Sequence, residues 1–575
     1  MSRAVFDPVC GHLEDFFNSN SHEVLKNRAE EMALVTAPIA THFDNEPTSA
    51  KAFEILQAAF ATAEARFRDL CRDQGLDDLM AILRRAPAQV MGGANWLAYL
   101  SLGLVKYTDP SLNTTGGVFV ANSKHSMVHA WTTQTLFTAD RIATLATAMN
   151  EIAGVMRWIG KGARFRPTAM NAMQLEVDSN TSHAVDSYEA RRPHGWFRDQ
   201  GLVARDSGNA GEILVFCLGG MEMQTVLHEP RQDLDLHVNF APSFFEWSPV
   251  LHVLEDYQDA ITDLFKVRVD AIAQVLCGLS GNVWHTLIWP IEVDELKSKG
   301  EIILHLPPHD GSTNYQERLG FTFRLLRTGY FRFPRKYWIE ALAATPTPWA
   351  TKESQRRELV EEFFNGFAVT PERRAEIDLS VLRPYPLLYQ APSGEFYIDL
   401  RGIGDFLRDL IEKAKEWFSS QHGDRFTLNV KTMIEKRAPG VRVVGKKMFV
   451  RNEHDRKTEC DLIVSAGKKL CVIECKAHAK SSLFFRGDPK VVQQRSSQLT
   501  QDYAQADAAA KALRNETRFL DSPAHGTWDV EFCVCTPSQE FIRPVDKFGW
   551  LAPDVPRICT PEELIDVLQK TVADK

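Results

Sequence analysis

Apolar residues recur every three or four positions through much of the first third of the chain. Residues 49–72, 76–85 and 139–158 carry this spacing, which predicts helices. Short alternating runs follow at 212–217, 234–240 and 301–306 and predict strands. Helical spacing returns at 257–279 and 352–367. Residues 1–368 are therefore expected to form an N-terminal α+β region, as one large unit or two smaller ones. Residues 370–392 are rich in Pro and charge, so 369–420 is expected to be a connector ending in a helix over 403–419.

From residue 421 the pattern is simpler. A helix over 426–436 is stopped by Pro439–Gly440. Strands follow at 441–450, 461–466 and 470–476, the last two joined across a Gly467–Lys468 turn. A long helix covers 491–513, and strands recur at 529–535 and 555–559. Thr560, Pro561 and Glu563 then stand as N-cap, first-turn proline and capping-box acid of a final helix. The order α-β-β-β-α-β-β-α over 421–575 predicts a small mixed sheet flanked by helices.

Composition narrows the setting. With 575 residues, 44 % of them hydrophobic and 25 % charged, the chain has the make-up of an ordinary soluble protein with two to four domains. The N-terminus lacks the basic start and apolar run of a signal peptide, and the longest apolar patch, 97–105, is too short to cross a bilayer. The ten cysteines form no paired CxxC pattern, so buried free thiols and a cytoplasmic location are expected. The net charge of −9 argues against a nucleic-acid partner, but the average conceals an asymmetry. Residues 431–495 hold sixteen Lys or Arg against seven Asp or Glu. That local excess of nine leaves −18 on the rest of the chain. A basic block suits phosphate backbones, although a solvated face is the plainer account of any charge run.

The chemistry-bearing segment is TECDLIVSAGKKLCVIECK, residues 458–476. If the turn centres on Gly467–Lys468, paired residues carry numbers that sum to 935, so Asp461 lies opposite Glu474. Alternation puts Glu474 and Lys476 on one face and Cys475 on the other. Two carboxylates and an ammonium converge on a sheet whose apolar neighbours, Leu462 to Val464 and Leu470 to Ile473, indicate burial of both faces. Unpaired charges there cost several kcal/mol, on the order of 2 or more each. A divalent cation between the acids removes the conflict. The alternative is a cross-strand ion pair on an exposed face, worth under about 1 kcal/mol.

These residues resemble the PD-(D/E)xK superfamily, the restriction-endonuclease-like fold, over about 150 of the 575 residues. Asp461 matches the first acid and Glu474-Cys475-Lys476 the ExK half-motif. Glu459-x-Asp461 is similar to the spelling in Mrr-like members. The resemblance implies that Asp461 and Glu474 bind Mg²⁺ or Mn²⁺ together with the backbone carbonyl of Cys475, and that Lys476 positions or activates water. It also implies a Mg²⁺-dependent endonuclease acting on nucleic acid, DNA before RNA, in restriction, anti-phage defence or repair, with no membrane role. A homo-oligomer or partner protein is left open. Arg442, Lys446, Lys447, Arg451, Arg456, Lys457, Lys480 and Arg486 are placed to grip phosphates. Two departures stand out. Thr427 follows Gly423-x-x-Phe426 where the family often has Glu; Glu435 is a substitute or, more simply, a surface residue. No QxxxY occurs on the long helix, and Gln498 is chosen among its glutamines. The second function weighed is a nuclease fold that has lost catalysis and serves as a nucleic-acid-binding sensor.

Other signals are weaker. His125/His129 and His305/His309 have metal-compatible spacing without an accompanying HExxH, and no GxxxxGK[ST] occurs. The aromatic and basic run 321–338 reads as a strand pair before it reads as a stacking surface for nucleic acid.

Overall fold

Helix starts in the first third are fixed by hydroxyl caps. Ser21, Thr48 and Thr132 each accept the backbone N–H three residues on and open the helices His22–Ala40, Ser49–Cys71 and Thr133–Gly160. With Leu76–Leu83 and Trp96–Tyr107 they form a helical bundle. Thr133–Gly160 is its spine, burying side chains from Leu136 to Ile159. Two buried acids fasten it, Glu31 to Arg66 and Arg141, and Asp140 to Arg28. The computed structural model describes residues 16–19, 21–83, 96–109, 112, 132–191, 251, 254–287, 330–391, 393–399, 402–421, 423–451, 457–515 and 528–573. It also describes short strands at 4–6, 214–217, 224–228, 235–239, 243–246 and 302–305.

Leu214–Cys217, Asp235–Asn239 and Ile302–His305 fall within the three expected runs, and Ala4–Phe6, Gln224–His228 and Ser243–Glu246 are further strands. Ala4–Phe6, Gln224–His228, Asp235–Asn239 and Ile302–His305 form one antiparallel sheet, and Leu214–Cys217 pairs with Ser243–Glu246. The helix expected over 257–279 is two helices, Gln258–Phe265 and Val269–Leu287. Lys266 breaks it by turning left-handed (φ 55°) while its N–H caps the Thr262 carbonyl. Of the run 321–338, the part from 330 is strand Tyr330–Pro334 followed by helix Arg335–Ala344; 321–329 lies outside the described residues. His125, His129 and His309 lie outside them as well.

Residues 369–399, composed like a connector, are packed on both sides. Strand Leu388–Gln390 pairs with Glu395–Asp399, which pairs with Tyr330–Pro334. Alternation sends Tyr389 and Tyr397 into the bundle core and Leu388, Phe396 and Ile398 into a second core. Val369, Ile377 and Leu379 also sit in the bundle core. Pro371, Pro384 and Pro386, which suggest a linker, lie outside the strands and between these apolar residues.

The last third is built from helix α1 (Ile403–Gln421), α2 (Gly423–Arg437), strands β1 (Val441–Arg451), β2 (Lys457–Ala466) and β3 (Lys469–Cys475), helices α3 (Ser482–Arg486) and α4 (Pro489–Asn515), β4 (Asp529–Cys535), β5 (Ile558–Cys559) and α5 (Pro561–Ala573). The sheet order is β1-β2-β3-β4-β5; the first two pairings are antiparallel and the last two parallel. The whole chain is thus mixed α+β with a five-stranded mixed sheet. The strand expected over 555–559 is interrupted: Val555–Pro556 pairs with Trp550–Ala552, and only Ile558–Cys559 joins the sheet. Thr560 opens α5 with the expected reciprocal bonds to Glu563 (3.3 and 2.8 Å).

One sheet face packs Leu462, Val464, Cys471, Ile473, Cys533, Cys535 and Cys559 into a core shared with α1, α2 and α5. That core also takes in helices from Gln258 to Phe367, so it crosses residue 421 without a break. The other face packs Leu470, Val472, Phe532 and Val534 against Leu499, Ala506, Ala509 and Leu513 of α4. No helix among the described residues is long and apolar enough to cross a membrane.

Candidate active site

The β2–β3 hairpin has the register that its turn implies. Ala466 pairs with Lys469 and Leu462 with Ile473, and Gly467 takes the positive φ (65°) that the tight turn needs. The next pair outward is Asp461 and Glu474. There the ladder bond is replaced: Asp461 Oδ2 accepts the Cys475 backbone N–H at 2.9 Å. Lys476 N–H continues the sheet on the other side, to the Cys535 carbonyl at 2.9 Å. Glu474 extends the row Leu470, Val472 on the face covered by α4.

Glu474 is 2 % exposed as a side chain. Its Oε1 accepts from Lys476 Nζ at 2.7 Å and from Gln505 Nε2 at 2.6 Å. Its Oε2 is buried with no hydrogen-bond partner. Burial, and then the Asp461 charge, push this carboxyl up to about 7. Burial works against the Lys476 ammonium, yet the Glu474 carboxylate overrides it and raises the Lys476 pKa. Gln505 closes the cluster by accepting from Lys476 Nζ at 3.2 Å. One amide thus holds both Glu474 and Lys476.

Gln505, rather than Gln498, is the α4 glutamine over the acids. Gln498 lies two turns earlier, about 10 Å along the helix. It bonds His478 Nδ1 at 3.0 Å, while His478 Nε2 bonds Asp502 at 3.0 Å. Gln498, Asp502 and Gln505 follow one another at helical spacing, so α4 lays a polar row across the end of β3. That row was readable as periodicity; which turn of it meets Glu474 depends on how Leu499, Ala506 and Leu513 seat α4 on the sheet. Asp502 and His478 are likewise additions to the residues picked from sequence.

Among the described residues the thiols are buried, as expected, and Cys460, Cys471, Cys475, Cys533, Cys535 and Cys559 form no disulfide inside the sheet unit. Burial lifts the Cys475 thiol well above its ordinary range, and Thr427 lies against it. Thr427 is itself buried and spends its hydroxyl on the Gly423 carbonyl at 3.3 Å. Glu435 is half exposed and pairs with Lys431 at 3.6 Å, which makes it a surface residue.

The expected phosphate-gripping residues divide. Arg442 and Lys446 are exposed on β1, the outermost strand. Lys447, Arg451 and Lys457 lie on β1 and β2, but their side chains, and Arg456 altogether, fall outside the described residues. Lys480 and Arg486 correct the expectation. Lys480 is buried, donates to the Gln539 carbonyl and lies 3.7 Å from Glu540; burial pulls its pKa down. Arg486 pairs with Asp378 at 2.5 Å. Charge counting along the chain could not see partners 60 and 108 residues away.

Among the described residues no three His, Cys, Asp or Glu side chains gather as metal ligands. The cluster offers two carboxylates and the neighbouring backbone carbonyl. That set suits Mg²⁺, which keeps several waters and takes one or two carboxylates. The orphaned Glu474 Oε2 beside a second acid fits a cation as well. No protein-family model, curated protein or solved structure matches this chain.

Proposed function

We propose that the chain is a metal-dependent nuclease of the PD-(D/E)xK type, hydrolysing phosphodiester bonds of DNA at Asp461, Glu474 and Lys476. The observation that carries this reading is Glu474: a buried carboxylate with Lys476 and Gln505 on one oxygen and nothing on the other. An acid kept for structure alone would not be left half satisfied next to Asp461. Restriction, anti-phage defence or repair is the proposed setting, by analogy of fold and motif alone.

Asp461, Glu474 and the Cys475 carbonyl are the donors that would hold Mg²⁺ or Mn²⁺, which supplies Lewis acidity toward a phosphate oxygen and a bound water. Lys476 keeps its charge because Glu474 stabilises it. Of its three N–H donors, one goes to Glu474 and one to Gln505. The third is available for a phosphoryl oxygen or the attacking water, where charge builds up in the transition state. Burial under α4 strengthens that interaction by keeping bulk water away. Arg442 and Lys446 would hold backbone phosphates without reading sequence.

A binding-only sensor of the same fold is the second reading, and Thr427 favours it. Where the resemblance implies a helix Glu, the chain places a hydroxyl already engaged with Gly423. The two separate on cleavage of plasmid and single-stranded DNA with Mg²⁺ or Mn²⁺. Metal-dependent cutting by wild type, lost in Glu474→Ala and Lys476→Ala, is the expected result. Cutting that survives both substitutions places the chemistry elsewhere. DNA binding with no cutting, and no metal-dependent rise in Tm, selects the sensor.

A further inference from the structure

We propose that residues 477–488, the strap running from Lys476 to α4, transmit the position of the N-terminal helical bundle to the active site, so that the bundle regulates the nuclease. This rests on the reading of Asp461, Glu474 and Lys476 as that site.

The strap is gripped from two sides. On one side Gly487, left-handed at φ 85°, lies against the last turns of helix Thr133–Gly160. A Cβ built on Gly487 would stand 2.5 Å from the Met156 carbonyl and 2.6 Å from Arg157 Cα. A Cβ on Gly160 would likewise collide with the Gly487 carbonyl. Two backbones therefore touch where no side chain fits between them. On the other side Arg486 pairs with Asp378 at 2.5 Å, and the Arg383 guanidinium covers the Phe485 ring at 4.4 Å. Arg383 is itself fixed by Glu416 at 2.8 Å and Asp409 at 3.3 Å.

Contact through long side chains absorbs small displacements by changing rotamers; contact between backbones does not. Helix Thr133–Gly160 is buried along its length in the bundle, so a shift of the bundle moves its end as a rigid body. That end presses on Gly487, and the strap leads in eleven residues to Lys476. At the site end the strap is tied by His478, through its backbone N–H to the Lys476 carbonyl at 3.0 Å and its ring to Asp502 and Gln498. A displacement entering at Gly487 thus reaches the groups that set Lys476 and the polar row of α4.

The test is Gly160→Ala in the full chain, with Gly154→Ala as control. Both changes favour helix, but a Cβ at Gly154 meets nothing within 4 Å. Arg486→Gln loosens the strap from its other side. Amide hydrogen exchange without substrate is the readout that does not need activity. In Gly160→Ala, and in Arg486→Gln, exchange is expected to rise roughly tenfold at residues 484–488 and at Lys476, whose N–H bonds Cys535. Gly154→Ala should match wild type. With the nuclease active, kcat should fall roughly tenfold to a hundredfold and KM stay unchanged. A rise confined to 484–488 with Lys476 as protected as in wild type overturns the proposal, as does no change anywhere. An unaltered kcat in active protein whose strap exchanges faster overturns it too. Failure of the nuclease reading is distinct, since wild type itself would then not cleave.

Discussion

Replacing Glu474 by Gln keeps the side chain's shape and removes its proton equilibrium. In the metal-free wild type, the carboxyl rises from its ordinary 4.5 to about 7, a difference that corresponds to about 3 kcal/mol. Because the side chain is 2 % exposed, little of this is screened by solvent. The native state holds the proton more tightly than the unfolded chain, so stability declines as pH rises from 4.5 and the decline is complete just above 7. Glu474→Gln lacks this loss. Relative to wild type it should gain about 2.5 kcal/mol between pH 5 and pH 8, the first part of the loss being over by pH 5, whatever their difference at that pH. Other buried acids titrate in the same window, Asp77 and Asp256 near 6, but they are common to both proteins and cancel. Urea unfolding in EDTA, followed by pulsed labelling of the six buried thiols of the sheet unit, reads that unit and not the bundle. A difference that stays flat from pH 5 to pH 8 refutes a raised Glu474 pKa. It would mean that Lys476 keeps the acid ionised as an ordinary ion pair. Adding Mg²⁺ at a hundredfold over its Kd should return about 2.7 kcal/mol to wild type at pH 8 and nothing to the variant.

Gln505→Ala releases both Glu474 and Lys476, so kcat should drop about tenfold with KM held, measured by steady-state cleavage. Lys480→Met should lower stability by about 1 to 3 kcal/mol in urea unfolding, since it strips the Gln539 carbonyl and Glu540 of a buried donor. It should leave the salt dependence of DNA binding untouched. Arg442→Ala and Lys446→Ala should instead each reduce the slope of log K against log salt by about 1, with stability unchanged. A Lys480 variant that flattens the salt slope would return that residue to the phosphate contacts.

The hairpin was legible because two local rules agree on it. Strand alternation puts Glu474 and Lys476 on one face, and the Gly467–Lys468 turn fixes the register that brings Asp461 across. The Thr560 capping box and the long helix α4 rest on equally local signals. Gln505 was missed because periodicity names a face of α4 but not the turn that meets the acids, and that turn depends on how Leu499, Ala506 and Leu513 seat α4 on the sheet. Lys480 and Arg486 were misassigned for a related reason: their partners Glu540 and Asp378 are distant in sequence. Residues 369–399 read as linker because composition averages over a strand whose alternate residues fill two different cores.

The core behind Cys471, Ile473 and Cys533 bears on where the gene can be cut. Helix α1 contributes Phe406, Leu407, Leu410, Ile411, Ala414, Trp417 and Phe418 to it, and the helices between 258 and 367 complete it. Cutting the gene at codon 421 would bare that surface. At about 1.5 to 3 kcal/mol for each large apolar side chain, the loss exceeds the 5–15 kcal/mol that holds a typical domain together. A gene fragment that encodes residues 421–575 alone is therefore not expected to yield a folded sheet; it needs the residues from 254 onward.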